Sequence, residues 1–130
     1  MARVTDFAQA NLIMAQAFPA LITAFADDET KVAQVNAIYG TVILPEKVSE
    51  FFEFAYANRE TLPQEIKTAA ADVGNFAWVN GFWGLGEGGR GSRMERLLRG
   101  QTLTKSEEVP EPSAKYGAPA QINVPATPSA

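Results

Sequence analysis

The sequence predicts a mainly α-helical protein: a small bundle of about four helices, a glycine-rich hinge, a short arginine-bearing helix and an extended proline-rich C-terminal tail. Apolar residues recur at helical spacing in four segments before residue 80. Six of the ten glycines lie between residues 81 and 91, and five of the eight prolines lie after residue 101. The 130 residues are enough for one domain. We divide the chain into a helical body (1–80), a hinge with a short basic helix (81–100) and a tail (101–130).

The first predicted helix covers residues 4–26, and it carries no charged residue from Phe7 to Ala26. Pro19 lies inside it and should kink or interrupt it. A helix that is apolar nearly all round must be covered by its own domain, by another subunit or by lipid. The residues assigned to this membrane-facing or oligomer-forming side recur, together with Asn11, at alternating spacings of four and three: Phe7, Met14, Phe18, Leu21 and Phe25.

Two targeting interpretations of this helix are weighed. Ala24-Phe25-Ala26 has the small-x-small pattern of a signal-peptidase site, and the stretch approaches the ~20 residues that span a bilayer. However, Asn11, Gln16 and Pro19 interrupt the apolar run, and Arg3 is the single basic residue before it. We therefore expect neither a cleaved signal peptide nor a spanning helix, and the sequence favours a virion or cytoplasmic location.

Three further helices are predicted over residues 28–39, 45–58 and 62–80. Asp27-Asp28-Glu29 supplies an acidic N-cap and first turn for the first of these, and Gly40 suits the position after its end. In the next helix Phe52, Phe54 and Tyr56 alternate as they would in a strand, although the wider apolar pattern is helical. A short helix over residues 93–99 should follow the hinge.

Two groups of side chains are predicted to bind partners. Aromatic residues crowd the end of the fourth helix, and four arginines follow at a spacing of three. The simpler interpretations are that the aromatic residues belong to the core and that the arginines form a solvated face paired with Glu95. The residues assigned to partner binding are Trp78, Phe82, Trp83, Arg90, Arg93, Arg96 and Arg99. For the short helix, Ser92 and Glu95 have the spacing of a capping box, and Gly100 suits its end.

The chain contains no histidine and no cysteine. This composition excludes a Ser-His-Asp triad, a thiol nucleophile, a zinc finger and a disulfide scaffold. Glu46, Glu50 and Glu53 could hold only a hard cation such as Mg²⁺, and a solvated helix face is the simpler interpretation. We predict no catalytic residue, no cofactor and no metal site.

These observations predict a non-enzymatic structural or assembly subunit of a larger complex. It would dock through the aromatic cluster, the arginine helix and the C-terminal arm onto protein subunits that include copies of itself. A bacteriophage virion component is the example that the small, cysteine-free, alanine-rich composition favours. One alternative is a membrane-active or ejected protein that uses the uncharged N-terminal helix. Another is a nucleic-acid-binding accessory protein that uses the arginine cluster, although the net charge of −4 opposes non-specific binding.

Overall fold

The computed structural model of the protein describes residues 4–80 and 90–103, without the side chains of Trp78 and Arg90. Within these ranges the chain forms helices and no strand, so the mainly helical fold class is confirmed. The five helices are α1 (Phe7–Ala24), α2 (Glu29–Tyr39), α3 (Lys47–Ala57), α4 (Gln64–Val79) and α5 (Arg90–Leu98). The predicted tail lies outside the described residues from residue 104, and most of the predicted hinge lies outside them over 81–89.

Short polar residues and one glycine set the ends of the first two helices. The Asp6 carboxylate accepts a hydrogen bond from the Gln9 backbone N–H at 2.9 Å, and Asp28 accepts one from the Lys31 N–H at 3.1 Å. Each bond satisfies a donor that the first helical turn leaves free. Gly40 follows α2 with φ of 59°, a backbone conformation that side chains with a Cβ rarely adopt. The acidic cap predicted within Asp27-Asp28-Glu29 is found at Asp28, and the predicted end at Gly40 is confirmed.

The first helix continues through Pro19, so the predicted interruption does not occur. The Pro19 ring lies on the exposed side of α1, away from the core. Proline has no N–H, however, and the Ala15 carbonyl therefore loses the donor that the helix would normally supply. The buried stripe of α1 alternates small and large apolar residues: Ala10, Met14, Ala17 and Leu21.

The bundle converges on α4, which packs against α1, α3 and α5, while α2 lies against α1 and α3. Aromatic pairs link the helices. Phe7 of α1 meets Phe76 of α4 with ring centroids 5.8 Å apart, and Phe18 of α1 meets Tyr39 of α2 at 4.8 Å. The Tyr39 hydroxyl donates to the Met14 carbonyl at 2.7 Å. Phe52, Phe54 and Tyr56 of α3, whose alternation resembles that of a strand, lie in a helix. The wider apolar pattern with helical spacing is therefore the one that the fold follows.

The last helix begins earlier than the sequence predicts. Arg90 and Gly91 already belong to α5, and Ser92 lies inside the helix with an exposed side chain. The predicted capping box at Ser92 is therefore wrong. Burial of Met94 and Leu98 against the core fixes the position of α5, and this outweighs a local capping preference. Gly100 has φ of 89° just after the helix, as predicted for its end.

Candidate interaction surface

Arg99 makes an ion pair inside the fold. Its Nη1 lies 2.8 Å from Asp72 Oδ1 of α4, and its Nη2 lies 2.9 Å from Glu95 Oε2 of α5. The Asp72 side chain is 1% exposed. Its Oδ1 accepts no hydrogen bond of good geometry from the described residues, so the nearby Arg99 charge is its main compensation. This pair fastens α5 to α4.

The charge environment of Arg99 favours its protonated form. Burial lowers the pKa of the Arg99 guanidinium, but the contacts with the Asp72 and Glu95 carboxylates outweigh burial, and its pKa lies above the ordinary value. The spacing of the arginines predicts a partner-binding role for Arg99. In the structure this guanidinium is already engaged by two carboxylates of its own chain.

The other predicted partner-binding residues are only partly described. Arg93 and Arg96 are half-buried, and each already has an interaction partner within the chain. The side chains of Trp78 and Arg90 lie outside the described part of the structure, as do Phe82 and Trp83. Their role in partner binding stays a prediction.

The predicted residues of the N-terminal helix divide between the core and its edge. Met14, Leu21 and Phe25 are buried, whereas Phe7 and Phe18 are half-buried and pack against the core. The buried side of α1 therefore accounts for most of the apolar series that the sequence shows. A second set of uncharged residues lies on the opposite side.

We call this second set the outer strip of α1. Its members recur at alternating spacings of four and three along the exposed side of the helix: Ala8, Leu12, Ala15 and Pro19. Leu12 is a large apolar residue, and the fold leaves 56% of it exposed to solvent. Gln9, Gln16 and Thr23 are also exposed and give one edge of the strip neutral polar groups. The other edge is bordered mainly by the apolar residues Phe7 and Phe18, with Asn11 between them.

A groove runs along the apolar edge of the outer strip. It encloses about 540 Å³ between α1 and the loop that follows α2. Its lining includes Asn11, Ala15 and Phe18 from α1 and the segment from Tyr39 to Ile43 from the loop side. The loop adds two more exposed apolar residues, Val42 at 59% and Leu44 at 44%.

Sequence reasoning missed this loop as part of a surface. A signal was present, because the link between α2 and α3 is the apolar run Val42-Ile43-Leu44 rather than a polar turn. Together, the outer strip, the groove and the exposed loop residues form a continuous uncharged surface, which we call the α1–loop surface. Contiguous exposed apolar surface of this kind is typical of interaction sites.

A second groove lies on the other side of α1, facing α4. It encloses about 600 Å³, and half of its lining is apolar, from Ile13, Ala17, Ile66 and Ala69. It differs from the α1–loop surface in charge, because its lining also includes the acidic residues Glu65 and Asp72, whereas the first groove is lined by uncharged residues alone.

Within residues 4–80 and 90–103, no three acidic side chains come close enough together to hold a metal ion. In the same part of the chain, α1 is the helix that is long and apolar enough to cross a membrane, a test that the core helices of soluble proteins also pass. Comparisons with models of protein families, with curated proteins and with solved structures find no match for this chain.

Proposed function

We propose that this protein is a non-enzymatic structural subunit that assembles with copies of itself and with other protein subunits in a larger complex. The observation that carries this proposal is the α1–loop surface. Burying an uncharged helix face and an apolar loop under a protein partner is energetically favourable, because it removes apolar surface from water. Assembly into a bacteriophage virion is the setting that the composition favours, and it forms part of the proposal.

Chemistry around α1 favours a protein partner over a bilayer. Asp6 precedes the helix and Asp27, Asp28 and Glu29 follow it, so negative charge lies at both ends and would be repelled by anionic lipid. Exposed glutamine side chains also need hydrogen-bond partners, which a protein interface provides and hydrocarbon does not. The nucleic-acid alternative loses part of its basis, because the Arg99 charge is compensated within the fold.

The solution mass of the full chain tests the proposal. Size-exclusion chromatography with light scattering should give a defined species heavier than the single chain of 14.0 kDa, and its share should grow with protein concentration. Deletion of residues 101–130 provides a second readout on the predicted arm. It should lower the formation of larger species and leave the helical circular dichroism signal intact. The mass of a single chain at every concentration up to the millimolar range would contradict self-assembly.

A further inference from the structure

We propose that the α1–loop surface binds the same surface of a second copy of this chain, so that two α1 helices pack side by side across a two-fold axis. This inference rests on the proposed function and names its first contact. A two-fold interface uses one patch twice, and that patch must carry both a projecting element and a recess that fits it. The surface has both, because the Leu12 ridge runs directly beside the 540 Å³ groove.

The spacing and side-chain lengths of the ridge residues suit packing against a second helix. Residues spaced by four and three along a helix form the ridges that fit between the side chains of a second helix. Ala8 and Ala15 flank Leu12 with short side chains, and this allows two helix backbones to approach closely. In the paired arrangement, Leu12 of each copy enters the recess between Ala15, Phe18 and the loop of the other.

The polar groups of the α1–loop surface can pair with those of a second copy. The Ala15 carbonyl lacks its helical donor because Pro19 has no N–H, and Ala15 lines the groove. Asn11 lines the same groove and carries two amide N–H donors. An Asn11 amide of the second copy can therefore supply the missing donor, and the amide groups along the helix need no counterion. Because α1 contains no ionised side chain, charge repulsion is absent along the two helices and is confined to the acidic residues at their ends.

Area shows why the loop belongs to the interface. The 18 residues of α1 extend over about 27 Å at 1.5 Å per residue. A stable dimer buries about 800 Å² on each partner, more than one face of such a helix supplies. Val42 lines the groove and is 59% exposed, so it adds apolar area where the second copy would lie, and the exposed Leu44 follows it two residues later in the loop.

Matched substitutions test the pairing in the full chain. Leu12→Glu places a charge on the ridge at an exposed helical site and should raise the dimer dissociation constant about 100-fold, because both copies of Leu12 are lost together. Ala33→Glu is the control, since Ala33 is an exposed apolar residue within α2 that does not line the groove, and it should leave the constant unchanged. Sedimentation equilibrium measures the constants, and circular dichroism verifies that both variants keep their helices.

Cross-linking provides a readout that does not depend on the charge substitution. The chain has no cysteine, so a single introduced thiol reacts uniquely. A short bis-maleimide should join two Leu12→Cys chains and should not join two Ala33→Cys chains at the same concentration. Equal yields from the two variants would overturn the pairing.

The outcomes separate this inference from the proposed function. If the wild-type chain is a dimer or larger and Leu12→Glu lowers its mass, both hold. If the larger species survives Leu12→Glu, assembly stands and the α1 pairing is overturned. If it survives Leu12→Glu but is lost on deletion of residues 101–130, the contact belongs to the C-terminal segment instead. If the wild-type chain is a monomer that binds phosphatidylcholine vesicles and Leu12→Glu abolishes that binding, lipid occupies the surface and both proposals fail.

Discussion

Replacing Arg99 by methionine should destabilise the protein far more than the loss of an ordinary surface charge. Methionine keeps much of the side-chain length but leaves the Asp72 carboxylate, 1% exposed, without the cation at 2.8 Å. Breaking a buried ion pair from one side typically costs about 3–5 kcal/mol. Arg99 keeps 18% of its side-chain exposure, so water can partly screen the orphaned charge. We therefore expect a loss of about 3 kcal/mol in the free energy of unfolding.

A matched surface pair provides the control. Lys47 and Glu50 form an ion pair at 3.2 Å on α3, with side-chain exposures of 28% and 39%. Such exposed pairs contribute about 0–1 kcal/mol, so Lys47→Met should change the unfolding free energy by less than about 1 kcal/mol. Urea unfolding followed by circular dichroism measures both variants under the same conditions.

A double variant separates the loss of attraction from the burial of an unpaired charge. When Asp72→Leu accompanies Arg99→Met, no uncompensated carboxylate remains at position 72, and the double variant should be more stable than Arg99→Met alone. If Arg99→Met loses no more stability than Lys47→Met, the stabilising role of the ion pair between Arg99 and Asp72 is refuted. Arg99 would then be available to a partner, as the spacing of the arginines predicts.

Three further predictions concern local features. Burial raises the pKa of Tyr39, so the unfolded chain binds fewer protons than the folded chain above pH 10, and stability should fall there by up to about 1.4 kcal/mol per pH unit. Urea unfolding between pH 8 and 11 should show that Tyr39→Phe removes most of this slope, and an unchanged slope would exclude Tyr39 as its source. At neutral pH the unfolding free energy of the same variant should fall by about 1 kcal/mol, because the hydrogen bond to the Met14 carbonyl is lost. Asp28→Ala removes the α2 cap and should lower the unfolding free energy in urea by about 1 kcal/mol, whereas Asp27→Ala should cost little, and equal losses would refute the cap assignment. Gly40→Ala should lower the unfolding free energy by about 1–3 kcal/mol. Backbone strain at positive φ is the cause rather than a steric clash, because a Cβ at Gly40 would meet no atom closer than 3.6 Å. An unchanged thermal midpoint would contradict this.

The sequence predicts the helices well because each has a local signal. Asp28 and Gly40 bound α2 through hydrogen bonding and backbone conformation, which depend on neighbours in the chain. The start of α5 is different. Its position depends on Met94 and Leu98 packing against residues distant in sequence, and the Ser92 capping pattern carries no information about that contact.

The candidate surface was harder to predict for a related reason. The absence of charge in α1 predicts that the helix must be covered, but it does not predict which side packs against the core. Alanines at positions 10 and 17 face the core, where α4 approaches closely, and Leu12 faces outward. Nor does spacing reveal that Arg99 meets Asp72, because the two residues come together only when α5 packs on α4.

The most direct test of the central claim is the mass of the full chain and of Leu12→Glu, measured side by side by sedimentation equilibrium at the same concentration. The wild-type chain should have at least twice the mass of a single chain, and the variant should move towards the single-chain mass with its helical signal unchanged. Equal masses for the two proteins would contradict pairing through the outer strip of α1.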